Sequence, residues 1–312
     1  MGKIAFVFAG QGAQYPGMGQ ELAQCSPAAA EIFAKLDALR PGTSAQCFGG
    51  TDEELKETKN TQPCMFAVEL AAAAALEEGG LRADMAAGFS LGEIGALTYT
   101  RAVDLETGFH LVCRRGGLMP AAAEEQPTAM AAVLKLSNEA VEQVCAQFAQ
   151  GYPVNYNCPG PLVAACCKAE LESFCSRVKE FKGKAVPLAV SGGFHSPFMD
   201  SAKQKLAAAI SQYHLHAPKI PVYANMTAQP YPQQDEACAS ILTGQVTHPV
   251  QWEKTIRRMA EDGFDTFIEV GPGKTLSGLV KKIIKDAKIY RVEDKATLAS
   301  TLEALRPPSE EE

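Results

Sequence analysis

Residues 84–93 read Asp84-Met85-Ala86-Ala87-Gly88-Phe89-Ser90-Leu91-Gly92-Glu93, and this stretch decides the fold. It sets a Gly-x-Ser-x-Gly pattern between a short strand-like run at 84–87 and the helix-compatible residues Ile94, Ala96 and Leu97. A serine between a buried strand and a helix sits on a sharp turn. Glycines two before and two after it remove side chains that would collide there. The hydroxyl then projects from the sheet at a helix N-terminus, where unpaired N–H groups and the helix dipole favour an oxyanion. The chemical reading is a nucleophilic serine; the plain alternative is a tight turn into which small residues fit. So short a pattern recurs by chance, and it gains weight only beside a base, oxyanion donors and a substrate-binding group.

Upstream, residues 3–9 (KIAFVFA) form a nearly continuous apolar run, as expected of a strand covered on both faces of a parallel α/β sheet. It ends in Gly10-Gln11-Gly12-Ala13-Gln14-Tyr15. This is not the dinucleotide fingerprint G-x-G-x-x-G, because Tyr15 stands where the third glycine is needed. A turn explains it, and so does a loop whose backbone N–H groups closely approach a ligand. Helices are predicted at about 27–39 and 61–78, the second with Thr61 as its cap and Pro63 in its first turn. Another is predicted at 105–119, carrying Arg114 and Arg115. Adjacent helix residues lie about 100° apart around the axis, so one arginine can face inward while the other faces water.

From residue 128 the texture changes. Strands at 128–135, 154–157, 162–166 and 184–190 alternate with helices at 138–148 and 169–181, giving the order βαββαβ of a split βαβ unit. Residues 126–192 therefore read as a small subdomain inserted into a larger one formed by 1–125 and 193–306. After it, Ser196 is expected to cap a helix running to about 213, with Pro197 at its first position. Further helices are expected at 236–246, 252–261 and 275–285, and strands at 220–223, 266–270 and 289–292. The tail 307–312 (PPSEEE) reads as disordered.

Composition narrows the class. With 29 basic against 36 acidic residues the formal charge is −7, which argues against nucleic-acid binding. The ten cysteines contain no C-x-x-C pair and fit buried thiols in a reducing compartment. No stretch reaches the ~20 apolar residues of a membrane span, and the apolar run 4–9 is too short for a signal peptide. A cytoplasmic location is expected. Of the five histidines, His195 suits the role of base to Ser90 best, and spacing alone leaves His110, His214, His216 and His248 open as alternatives. His195 follows two glycines and precedes a helix, whose N-terminus disfavours imidazolium and keeps the ring able to accept a proton.

At this point the chain resembles the malonyl-CoA:acyl carrier protein transacylases of fatty-acid synthesis and the related acyltransferase domains of polyketide synthases. The resemblance rests on Gly10-Gln11-Gly12-Ala13-Gln14, Thr61-Gln62-Pro63, Gly88-Phe89-Ser90-Leu91-Gly92-Glu93 and Arg115-Gly116. It continues through Asn155-Tyr156-Asn157-Cys158-Pro159-Gly160, Gly193-Phe194-His195-Ser196-Pro197, Gln245 with Pro249-Val250-Gln251-Trp252, and Glu269-Val270-Gly271-Pro272-Gly273. These run in the family's order over almost the whole chain.

The resemblance implies an α/β-hydrolase-like large subdomain with an inserted ferredoxin-like small one. It implies Ser90 as nucleophile, His195 as base, the Gln11 and Leu91 backbone N–H groups as oxyanion hole, and Arg115 as the malonyl carboxylate's partner. The Gln245 backbone carbonyl would orient His195, and Gln62, Asn157 and Phe194 would contact substrate. Malonyl would pass from malonyl-CoA to the phosphopantetheine thiol of an acyl carrier protein in a ping-pong cycle, without metal or cofactor. The protein is expected to act as a monomer, without nucleic acid or membrane. Four positions depart from the family pattern. Phe89 replaces the usual His, Pro161 the usual Gln, Cys166 a usual Gly, and His248 a common Asn. Competing readings are a serine esterase or thioesterase, a trans-acting polyketide synthase acyltransferase, and a non-catalytic relative that binds carrier protein.

Overall fold

A computed structural model describes residues 2–190 and 192–306, so the disordered-tail reading of 307–312 lies outside the described residues. Two sheets organise the chain. The larger has five strands in the order β7-β2-β1-β8-β9, all parallel. Their ranges are Lys3–Phe8 (β1), Met85–Gly88 (β2), Val222–Tyr223 (β7), Phe264–Val270 (β8) and Lys288–Val292 (β9). Strand β1 is central, and its alternating side chains enter two different cores. Phe6 and Phe8 pack with Met65, Phe66, Leu97 and Phe109 from helices Thr58–Glu78, Gly92–Tyr99 and Leu105–Glu125. Ala5 and Val7 pack with Trp252, Ile256 and Val280 from helices Trp252–Glu261 and Thr275–Ile283. Burial on both faces is why this strand is a continuous apolar run rather than an alternating one.

The smaller sheet is antiparallel, in the order β4-β5-β3-β6, from Thr128–Leu134 (β3), Tyr152–Tyr156 (β4), Leu162–Cys167 (β5) and Lys184–Pro187 (β6). Its pleat divides the side chains. Ala131, Val133, Leu162 and Ala164 face helices Asn138–Cys145 and Leu171–Glu180 through Val141, Val144, Phe174 and Val178. Met130, Val163 and Ala165 join the main core with Ala123, Phe194 and Phe198. The bridge between Asn155 and Val250 and the bond from Tyr156 N–H to the Val250 carbonyl (2.9 Å) tie the two sheets together.

Several boundaries differ from the sequence reading. The helix expected from Thr61 starts at Thr58, and Pro63 lies inside it. Thr61 is no cap: its hydroxyl donates back to the carbonyls of Leu55 (2.6 Å) and Glu57 (3.1 Å). Nor does Ser196 cap a helix; its hydroxyl donates to the Gly193 carbonyl, and a 3₁₀ turn Pro197–Met199 precedes helix Asp200–Ile210. The helix carrying the two arginines runs on through Pro120 to Glu125. Short helices Gln20–Cys25, Thr43–Gly49 and Asp52–Lys56, and the last helix Lys295–Ala304, carry too few periodic apolar positions to have stood out.

Candidate active site

The serine turn is built by close approach of backbones. A Cβ on Gly88 would lie 2.0 Å from the Gly92 carbonyl, and one on Gly92 would lie 2.4 Å from the Phe8 and Ala9 carbonyls. Neither contact is tolerable, so β2 can reach the next helix over β1 only with glycine at both positions. Ser90 itself adopts φ 56°, a left-handed conformation uncommon outside glycine. His195 adopts φ 59°. Both residues are held in a sparsely populated region, the kind of stored strain that clusters at functional sites. On the histidine side, Gly192 and Gly193 pack against Ala123 and Phe198 at distances that leave no room for a Cβ. The Gly193 N–H is pinned by Thr128 Oγ1 at 2.7 Å.

These turns bring Ser90 Oγ to 2.7 Å from His195 Nε2. His195 Nδ1 lies 3.1 Å from the backbone carbonyl of Gln245. A carbonyl only accepts, so Nδ1 carries the proton and Nε2 presents its lone pair to the serine hydroxyl. Burial and then the neighbouring Arg115 cation push His195 down to about 3, against the opposing pull of the Gln245 and His248 carbonyls. The ring is therefore neutral at physiological pH.

Arg115 faces inward at 2% exposure while Arg114 is exposed. One guanidinium nitrogen, Nη2, donates to Ser90 Oγ (3.0 Å) and to Gln245 Oε1 (3.0 Å). Its Nε is buried without a partner among the described residues. Burial lowers Arg115 to about 10, which leaves it charged. A buried cation with an unused donor beside a nucleophile is a ready partner for an anionic group.

Sequence reasoning left out the layer beneath. The Ser90 N–H donates to Asn225 Oδ1 (2.7 Å), and Asn225 Nδ2 donates to the Gly88 carbonyl (2.5 Å), so one amide clamps both sides of the turn. Glu93 is fully buried and accepts from Tyr231 Oη, from Gln245 Nε2 (2.9 Å) and from the Asn225 N–H (3.2 Å). Gln245 Nε2 also donates to the Ser90 carbonyl at 2.6 Å. The acid at the end of the serine motif was the available signal for this layer.

The remaining sequence candidates surround this centre. Gln11 follows β1 in an exposed turn and donates through Nε2 to Thr58 Oγ1 (3.2 Å). Its neighbour Gly10 abuts Phe89, and the Phe89 N–H donates to the Phe8 carbonyl (3.0 Å), which sets this loop beside the serine turn. Leu91 is buried directly after Ser90. Gln62 is buried against Met119, with its Oε1 unpartnered among the described residues. Phe194 is buried in the main core. Asn157 lies half-buried just past β4 and has no hydrogen bond to Ser90, His195 or Arg115. Phe89 stacks edge-on against Trp252, with ring centroids 5.4 Å apart. A cavity of about 340 Å³ opens beside Gln11, bordered by Lys56, Lys59, Gly116 and Val190.

A serine, a neutral histidine and a buried arginine on a parallel α/β sheet define an acyl-transferring enzyme. The chain belongs to the acyl transferase domain family, whose model matches residues 5–303. Within it, the chain is similar to malonyl CoA-acyl carrier protein transacylases. That of Bacillus subtilis (strain 168) is 36% identical over 98% of this chain and 98% of its own. The solved structure of the Clostridium perfringens protein of that name superposes with a TM-score of 0.94 at 36% identity, covering 97% of both chains. A malonyl-transacylase solved in complex with its type II PKS acyl-carrier protein superposes with a TM-score of 0.92 at 34% identity, over 97% of this chain and 99% of the other.

Proposed function

We propose that this acyltransferase moves malonyl from malonyl-CoA to the phosphopantetheine thiol of an acyl carrier protein, supplying extender units for fatty-acid synthesis. The observation that carries the reading is the convergence of Arg115, Ser90 and His195, with one arginine nitrogen 3.0 Å from the serine oxygen that sits 2.7 Å from the imidazole. A malonyl thioester has its reacting carbonyl and its carboxylate one carbon apart, which matches a nucleophile and a cation this close.

Ser90 Oγ attacks the thioester carbonyl as its proton passes to His195 Nε2. The oxygen turns negative between the Gln11 and Leu91 N–H groups, which we assign as the oxyanion hole. The C–S bond breaks, CoA leaves with the proton from His195, and malonyl-Ser90 remains. The carrier protein's thiol then attacks in the same way, and Ser90 regains its proton. The Gln245 carbonyl accepts from Nδ1 throughout and keeps the tautomer. The malonyl carboxylate also offsets the Arg115 charge that depresses His195. Binding the correct acyl group thereby makes the base stronger.

We read residues 1–125 with 193–306 as an α/β-hydrolase-like large subdomain and 126–192 as a ferredoxin-like insertion. The serine turn after β2 of a parallel sheet supports the first. The order β4-β5-β3-β6 within a βαββαβ chain supports the second. Gln62, Phe194 and Asn157 are assigned to the walls of the acyl and pantetheine cleft. The reading takes no metal or cofactor and a monomer in the cytoplasm. No helix among the described residues is long and apolar enough to cross a membrane.

The test is intact-protein and peptide mass spectrometry after exposure to malonyl-CoA without acceptor. One malonyl group is expected on Ser90, and none in Ser90→Ala. Labelling of Cys113 instead, or rapid release of free malonate with no stable adduct, would replace this reading with another nucleophile or a thioesterase.

A further inference from the structure

Glu93 touches no reacting atom, yet the site is assembled around it. Its two oxygens accept from three donors, Tyr231 Oη, Gln245 Nε2 and the Asn225 N–H, and it is fully buried. Gln245 has two further partners that fix its amide. Nε2 faces the Glu93 carboxylate and the Ser90 carbonyl, which can only accept, so Oε1 must face the Arg115 guanidinium at 3.0 Å. The chain of contacts Glu93–Gln245–Arg115 ends on Ser90 Oγ. We propose that Glu93, acting through the Gln245 side chain, is the positioning residue that holds Arg115 against Ser90 and so sets the preference for a carboxylate-bearing acyl group. This rests on the malonyl-transfer reading given above and names a residue that enforces it.

The geometry favours the ionised form. Three donors point at the carboxylate, and Tyr231 keeps its proton, because burial and the Glu93 charge push its phenol well above the ordinary value. Among the described residues Arg115 is the cation that faces Glu93, and it favours the anion; Tyr231 is the titratable group bonded to Glu93, and Gln245 lies between Glu93 and His195, bonding Glu93 through its amide and His195 through its backbone carbonyl. If Glu93 takes up a proton, its charge no longer holds Gln245 Nε2, and the Gln245 amide, then held on that side by the Ser90 carbonyl alone, can turn. Its NH₂ would then meet the guanidinium, two donors face to face, and Arg115 would withdraw from the serine. Burial raises Glu93 to about 7, so this change falls within the working pH range. His195 titrates far below that and supplies no such limb.

The experiment compares kcat/KM for malonyl-CoA and acetyl-CoA from about pH 5 to 9 in the wild type, Glu93→Gln and Tyr231→Phe, with Ser90 acylation as the readout. In the wild type, malonyl transfer is expected to rise with pH through a limb near 7 that acetyl transfer lacks. Glu93→Gln should lose that limb, and malonyl transfer should fall about 10- to 100-fold, the scale of loss when a binding group is displaced by about 1 Å. Acetyl transfer should change little. Tyr231→Phe removes one donor to the carboxylate, so its malonyl limb should move to higher pH, and this variant serves if Glu93→Gln does not fold. Equal losses for both acyl groups, or the same limb in all three proteins, would overturn the inference while leaving malonyl transfer intact. A wild type that forms no malonyl-Ser90 would instead sink the functional reading.

Discussion

At the scale of single residues the site is an economy of donors. Arg115 places one nitrogen between Ser90 Oγ and Gln245 Oε1 and leaves Nε without a partner among the described residues. A malonyl carboxylate can take that nitrogen and its neighbour in a two-bond fork, which lysine cannot reproduce. Arg115→Ala is therefore expected to lose malonyl transfer by about 2–5 kcal/mol, the cost of truncating one partner of a buried charge pair. Acetyl transfer should fall far less, and Arg114→Ala should leave both unchanged. Parallel kcat/KM measurements with the two acyl-CoAs check this. Equal losses in Arg115→Ala would make the residue structural. Ser90 was legible from the strand–turn–helix pattern and His195 from the glycines and helix around it, while Arg115 was singled out by the resemblance to the family. Glu93, Asn225 and Tyr231 were not, because a buried polar residue becomes recognisable only through its partners, and these lie far apart in the chain. Asn225 and Glu93 are 132 residues apart.

At the scale of elements, the strand–turn–helix around Ser90 works because two backbones pass almost in contact. Gly88→Ala would force its Cβ to within 2.0 Å of the Gly92 carbonyl. Overpacking of backbone against backbone is expected to cost about 1–3 kcal/mol or more, and moving the turn should abolish Ser90 acylation. Gly117 supplies the contrast: it lies in the arginine helix with nothing within 4 Å of its Cβ position. Gly117→Ala should be neutral or stabilising by up to about 1 kcal/mol, the propensity difference in a helix. Thermal melts with acylation assays on both variants decide the matter; a folded, acylated Gly88→Ala would show that the turn can yield. The sequence located most strands and helices by period but erred at their ends. Thr61 reads as a cap from its side chain and neighbours. The structure starts the helix earlier because residues 58–60 continue it and Thr61 can bond back to Leu55 and Glu57.

At the scale of the whole molecule, one residue is out of keeping with the core that surrounds it. Glu69, in helix Thr58–Glu78, is fully buried, and neither carboxylate oxygen has a partner among the described residues. It occupies space left by Gly95 and Gly271. Desolvation raises it well above the ordinary carboxylate value. A group raised on folding contributes stability that is complete below its unfolded value of about 4.3, and that is lost as pH rises through the folded value. Glu69→Gln has no proton to lose. Its advantage over the wild type should be small near pH 5 and grow to about 1–3 kcal/mol by pH 8, visible as a rise of several degrees in Tm. An offset that stays constant with pH would mean that Glu69 titrates alike in the folded and unfolded chain.

The sequence by itself determined the serine turn, the central strand, the βαββαβ order and, through the motifs of its family, the three side chains Ser90, His195 and Arg115 that the fold brings together. These depend on local sterics, on the period of apolar residues and on chemistry that only certain residue types perform. Tertiary structure alone decided which atoms meet. It turned Arg115 inward and Arg114 outward, set His195 Nε2 on Ser90 Oγ across 105 residues, and buried Glu93 under Gln245. Contacts of that range are fixed by how the two sheets pack, and the linear pattern of a chain carries no record of the distance between elements.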